Sequence, residues 1–373
     1  MRSLLAECKK LGYVVHFAGV NMTSEERINT IKYVDRWVGE FSDQPISYQG
    51  EVNLLGKLKR FFKRLLKILD KPVVLHEGLD QWFKPQWLDE ARSLARREKY
   101  TRVMVAYVFH SAFLEAFSKS TIRILDTHDV FSNRNERLKT AGLPAEAGWF
   151  SVSESAEQFG VSRANQILAI QPTEAGHFKR LTSGAKAVRV VGHFVDVNPL
   201  PGSLSGDQLI GYIGSSNPLN THSLQQFISE IWPLVRNKVP KARLVIAGGV
   251  CQAISPPIDS VVLGSVSDPA DFYTACIVTI NPMQVGTGLK IKTVESMAYG
   301  RAVVSTPCGA EGLEAYDGRG LFIASGCDEF ASMIADLVLN RKKALVAGLA
   351  GAAAMDEMNQ RSQDELRLAL SGT

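Results

Sequence analysis

The stretch Asn281–Gly312, NPMQVGTGLKIKTVESMAYGRAVVSTPCGAEG, carries the reading of the whole chain. With the residues just before it, it gives a buried strand (Cys276–Asn281), a glycine-rich turn around Gly286 and Gly288, and an amphipathic helix (Leu289–Tyr299). A glycine stop at Gly300 and a second strand (Ala302–Ser305) follow. A glycine-rich turn that opens a helix presents free backbone N–H groups and a positive dipole end, which suits an anionic phosphate. Lys290, expected in the first turn of that helix, can add a full positive charge. Glu295 lies further along, where a carboxylate can reach ribose hydroxyls. Glycines alone are also what any tight αβ connection needs. The addition of Lys290, Glu295 and the strand–turn VVSTPCGAEG favours a phosphate-and-ribose cradle.

Working outward, strands alternate with helices along the chain. Strands are expected at Tyr13–Gly19, Val73–His76, Arg102–His110, Ile122–Asp129 and Gln166–Ile170, with helices at Ser3–Leu11, Pro85–Lys99, Ser153–Phe159 and Glu174–Leu181. The run Asn198–Gly206 (NPLPGSLSG) lacks apolar periodicity and is dense in Pro, Gly and Ser, so it reads as a linker. A second cycle follows: strand Leu209–Ile213, helix His222–Asn237, strands Ala242–Ala247 and Ser260–Gly264, helix Pro269–Ala275, then the cradle. An Ala-rich helix is expected over 344–354. This alternation implies parallel sheets covered on both faces, in two facing Rossmann-like domains. The division is residues 1–197, a linker at 198–206, residues 207–350, and a helical segment 351–373 that returns toward the first domain. A chain of 373 residues is long enough for two such cores.

The strand LIGYIG ends in Gly214, Ser215 and Ser216, a turn at the carboxyl end of a parallel strand, where open α/β sheets bind ligands. The turn can equally be a plain connection. In the first half, ILDTHDVFSNR places Asp126, His128 and Asp129 at a strand end. His128 can serve catalysis or simply pack and cap. A metal reading of the Asp126–Asp129 cluster is set aside, because no further ligands stand nearby and three is the usual minimum.

These segments resemble the donor-binding half of retaining glycosyltransferases of the GT-B fold, family 4. The resemblance rests on GTGLKIKTVESMAYG and STPCGAEGL, is specific over 276–313, looser over 207–275 and diffuse over 75–195. It implies a nucleotide diphosphate-sugar donor held by Gly214, Ser215, Ser216, Gly286, Thr287, Gly288, Leu289, Lys290 and Glu295. It implies His128, with Asp129, at the reacting sugar, and transfer with retention and without a metal or other cofactor. The acceptor implied is a saccharide or a lipid-linked molecule in bacterial surface polysaccharide synthesis. The chain departs from the pattern twice. Ser216 and Asn217 stand where relatives place an Arg and a Lys, and Thr287 replaces the first of two glutamates separated by seven residues, of which Glu295 is the second. Relatives also begin with a strand that is missing here, so the first domain is expected to lack its first strand. Two other readings remain: a non-catalytic nucleotide-sugar-binding or assembly subunit, and a nucleotide-sugar epimerase on the same fold. A dinucleotide dehydrogenase is not supported, since no G-x-G-x-x-G follows a strand.

Residues 54–71, LLGKLKRFFKRLLKILDK, form an apolar stripe whose other face carries Lys57, Lys59, Arg60, Lys63, Arg64, Lys67 and Lys71 against Asp70 alone. Such a helix suits either an anionic membrane surface or an ordinary place on a sheet with solvated charges. The net charge of the whole chain is only +4, so nucleic acid is not an expected partner. Apolar content of 45%, the lack of a long apolar run and five scattered cysteines point to a reduced, cytoplasmic protein, with this helix able to bring it to the inner face of the cell membrane.

Overall fold

The computed structural model describes residues 1–41, 76, 78–81, 83–140, 142, 150–201 and 208–372. The expected basic helix 54–71 with Lys59, Arg60, Lys63 and Arg64, most of the strand 73–76, and most of the linker 198–206 lie outside the described residues.

The first half contributes β1 (His16–Val20), β2 (Arg36–Phe41), β3 (Arg102–Ala106), β4 (Ile122–Asp126), β5 (Gln166–Ala169) and β6 (Ala187–Val190); the second contributes β7 (Gln208–Ile213), β8 (Ala242–Ala247), β9 (Val261–Gly264), β10 (Val278–Asn281), β11 (Ala302–Ser305) and β12 (Leu321–Ile323). β1 and β2 form a parallel pair, β3-β4-β5-β6 a four-stranded sheet, and β12-β11-β10-β7-β8-β9 a six-stranded sheet. All the pairings are parallel. Two Rossmann-like units result.

Strand composition explains the two-sided burial. In β4, Ile124 and Leu125 are both fully buried but face opposite ways. Ile124 joins Leu4, Cys8 and Leu366, whereas Leu125 joins Val105, Phe109 and Ile167. In the six-stranded sheet, Ile210, Tyr212, Leu244 and Ile246 build one face, and Leu209, Val245 and Ala247 the other, against which Phe272 of the helix Pro269–Ala275 packs. A residue period of two sends neighbours to opposite faces, and helices on both sides turn each face into core.

Several boundaries differ from the sequence reading. β3 stops at Ala106, where Tyr107 takes a φ of +67° and the chain enters a 3₁₀ segment, Val108–Ala116. β4 stops at Asp126, leaving His128 and Asp129 in the loop beyond it. The helix of the cradle spans Ile291–Ala298, so Lys290 is its N-cap residue rather than a member of its first turn. The helix after β7 starts at Pro218 and runs to Lys238 through one π turn, Phe227–Ile231. Pro233, two residues past that turn, has no N–H to donate and crowds the preceding carbonyls, a known cause of such a widened turn.

The last helix, Arg341–Ser371, ties the halves together. Its middle packs Ala354 and Met355 against Val294 and Met297, and its end packs Leu366, Ala369 and Leu370 against Ile124 and Leu168. Between these, Asn359 donates to the Val195 carbonyl at 2.8 Å, and the Ser362 hydroxyl accepts from Gly192 N at 3.0 Å.

Candidate active site

The strand order places the site. Counting from β7, the six-stranded sheet runs 6-5-4-1-2-3, so the strand order reverses between β7 and β10. In doubly wound sheets the crevice outside the carboxyl ends at that switch point receives the ligand. The turns after β7 and β10 are therefore neighbours, and both sequence-selected segments fall on them.

The turn after β7 holds Gly214, Ser215 and Ser216, with both serines exposed. Gly214 is anchored on both sides, donating to the Ala247 carbonyl and accepting from Val250 N, each at 3.1 Å. Asn217, where relatives carry a cation, caps the next helix through an Oδ1 that accepts from Leu219 N at 2.8 Å.

The turn after β10 is framed by Asn281, whose amide donates to Thr293 Oγ1 at 2.9 Å and to the Gly309 carbonyl at 3.1 Å. Gly288 adopts a φ of +76°, a conformation that disfavours side-chain-bearing residues. The Leu289 side chain packs into the core with Val294, Met297 and Leu313, so only its backbone is offered to a ligand. Lys290 is 6% exposed; its ammonium donates to the Gly288 carbonyl at 2.6 Å and pairs with Glu311 at 3.1 Å. Glu295 is half-buried, and burial raises its carboxyl pKa while the Tyr273 hydroxyl opposes the shift.

The first half meets this turn directly. Asp129 accepts from the Thr287 hydroxyl at 2.9 Å and pairs with Arg134 at 3.1 Å. Burial raises the Asp129 pKa even so, with Arg134 and Thr287 opposing. His128, at a φ of +61°, stacks on Tyr107 with ring centroids 4.4 Å apart. Its Nε2 lies 3.0 Å from Asp126 Oδ2 without the alignment of a hydrogen bond. Structure thus brings His128, Asp129, Thr287, Gly288 and Lys290 to one cleft.

Two residues of that cleft escape sequence reasoning. Gln171 sits against Gly312 of the other half, with its side-chain amide beside the Glu174 carboxyl. Glu174 is 3% exposed, and neither carboxylate oxygen makes a well-formed hydrogen bond. Burial, reinforced by Asp129 and Glu311 and opposed by the Gln171 side chain and the Ile170 backbone, pushes its pKa up to about 8. It lines a pocket of 190 Å³ with Arg137, His177 and Arg180 on its own side and Thr287, Gly288 and Glu311 opposite. No local pattern marks these groups. Among the described residues no group of three or more His, Cys, Asp or Glu side chains is placed to hold a metal ion, and no helix is long and apolar enough to cross a membrane.

Comparison with known proteins agrees with this geometry. Residues 207–340 match the family described as Glycosyl transferases group 1. An uncharacterized 44.6 kDa protein in the cps region of Klebsiella pneumoniae is 30% identical over 129 residues, which are 31% of this chain and 33% of that protein. The match thus spans about a third of that relative's length. The structure of Anabaena Alr3699/HepE in complex with UDP and glucose superposes with a TM-score of 0.64 at 14% identity, over 98% of this chain and 95% of that one. A TarM structure gives 0.60 at 12% identity over 76% of this chain and 58% of TarM. The lipopolysaccharide outer core galactosyltransferase WaaB gives 0.56 at 12% identity over 95% and 99%. The fold is the two-unit GT-B fold.

Proposed function

We propose that this chain is a glycosyltransferase that uses a nucleotide diphosphate-sugar and transfers the sugar with retention to a saccharide or lipid-linked acceptor in bacterial surface polysaccharide synthesis. One observation carries the reading. The switch point of the six-stranded sheet sets the 214–217 turn beside the 286–290 turn, and Thr287 of the second turn donates to Asp129 across the cleft. The complex of HepE with UDP and glucose supports a donor of this class, and the cps-region relative supports the polysaccharide context.

In this reading the diphosphate lies against the N–H groups of both turns, and Lys290 exchanges part of its pairing with Glu311 for a phosphate oxygen. Glu295 accepts from the ribose hydroxyls. The bond from the anomeric carbon to the diphosphate oxygen breaks, the acceptor oxygen bonds to that carbon, and the acceptor proton passes to the departing diphosphate. The protein's part is positioning and charge stabilisation. The domains run 1–197 and 207–350 with 198–206 as the linker, and the basic segment 54–71 brings the cleft to an anionic membrane face.

The test is nucleotide binding. Nucleotide diphosphates should raise the melting temperature, since a ligand at 100 times its Kd adds about 2.7 kcal/mol. Lys290→Ala should weaken a diphosphate by about tenfold or more and leave the nucleoside unchanged, while Glu295→Gln should weaken both. Unchanged diphosphate affinity in Lys290→Ala would refute the phosphate assignment.

A further inference from the structure

We propose that Lys292 is a second cation of the donor phosphate site, held behind the Gly214–Asn217 turn by Asn220 and Tyr212. This rests on the reading of the crevice as a nucleotide-sugar site. The two turns themselves supply little free positive charge. Ser216 and Asn217 carry none, and the Lys290 ammonium is shared with Glu311 and the Gly288 carbonyl.

Lys292 lies in the first turn of the helix Ile291–Ala298, whose positive end opens onto the crevice. Its ammonium donates to Asn220 Oδ1 at 2.7 Å and to the Tyr212 hydroxyl at 2.9 Å, and sits 4.5 Å from the centre of the Tyr212 ring. Asn220 in turn donates to the Ser215 carbonyl at 3.3 Å and the Ser215 hydroxyl at 3.1 Å. One side chain therefore bridges the two turns that flank the switch point, and its hydrogen-bond acceptors there are neutral. The charged or titratable groups around it are Lys290 from the preceding turn, Tyr212 from β7, and Glu295 one turn along its own helix.

Burial, with repulsion from Lys290, lowers the Lys292 pKa to about 7. The amine is thus poised near half charge at neutrality, and a diphosphate would supply the counter-charge it lacks. Donor binding should then draw a proton onto Lys292. Above neutrality the free protein has lost that proton and the complex keeps it, so affinity should fall as pH rises, approaching about tenfold per pH unit.

UDP-glucose is the probe, because its diphosphate stays fully ionised across this range. Calorimetry in buffers of different ionisation heat should show the wild type taking up more than about half a proton per site near pH 8, with affinity about tenfold weaker near pH 8.5 than near pH 7.5. Lys292→Met should bind UDP-glucose at least about tenfold more weakly near neutrality and abolish the proton uptake, whereas Lys292→Arg should keep the affinity and lose the pH dependence. Uridine should bind all three proteins alike. Absence of proton uptake in the wild type, or equal weakening of UDP-glucose and uridine by Lys292→Met, would overturn the assignment while leaving the donor reading intact. Failure of UDP-glucose, GDP-mannose and ADP-glucose alike to bind the wild type would overturn the donor reading, and this proposal with it.

Discussion

Replacing Glu174 with Gln tests the buried acid of the cleft. The folded protein holds the Glu174 carboxyl at a pKa of about 8, against an ordinary value of 4.5, because burial and the nearby Asp129 and Glu311 disfavour its charge. A carboxyl raised in this way binds its proton more tightly in the folded than in the unfolded chain. Stability is therefore greatest below the ordinary value and declines as pH rises from there toward the raised value. Between about pH 5.5 and pH 7.5 that decline amounts to about 2.5 kcal/mol as an upper bound, since each pKa unit corresponds to 1.36 kcal/mol. Gln has the same shape and no proton to lose, so the variant should gain that amount on the wild type across this interval. Urea unfolding of both proteins at about pH 5.5, 6.5 and 7.5 measures the gain directly. A stability difference that stays constant over the interval would show that Glu174 ionises normally, and hence that solvent or an unrecognised partner reaches it.

Three further outcomes are expected. His128→Ala should lower turnover of bound donor by about a hundredfold or more while donor affinity and melting temperature stay near wild type; a proportional loss of stability and activity would make His128 a support for Tyr107 and Asp126 instead. Gly312→Ala should cost about 1–3 kcal/mol, because its φ is +83° and the added Cβ would stand 2.2 Å from Gln171 Oε1; an unchanged melting temperature would refute the close approach of the two halves there. Lys59, Arg60, Lys63 and Arg64 all changed to Gln should abolish co-sedimentation with anionic vesicles at low salt, each cation contributing about 1 kcal/mol; equal binding of the wild-type protein to neutral vesicles would remove the membrane-surface reading.

How much of this was legible beforehand depends on the range of the interactions. β8, β11 and the helix Pro269–Ala275 match the sequence reading residue for residue. The two strands are mostly apolar runs bounded by Gly, Thr or Pro, and the helix is opened by Asp268 as N-cap and Pro269; those signals are local. The sequence pattern extends β3 to His110 because the apolar run continues into Val108–Ala116, and periodicity cannot separate a buried strand from the buried 3₁₀ segment that follows it.

The sequence by itself determined the parallel α/β class, the two-unit organisation, and the glycine turns with Lys290 and Glu295, because each is written in neighbours a few residues apart. Tertiary structure alone decided which charges are available. Lys290 is shared with Glu311, Lys292 is drawn onto Tyr212 from 80 residues away, and Asp129 reaches Thr287 across 158. Gln171 and Glu174 become cleft groups only once the halves close over them. Strand order and the docking of the two halves set these pairings, and so set the burial that moves the protonation of Glu174 and Lys292 toward neutrality. Burial of that kind is a property of distant chain segments brought together, which no local pattern encodes.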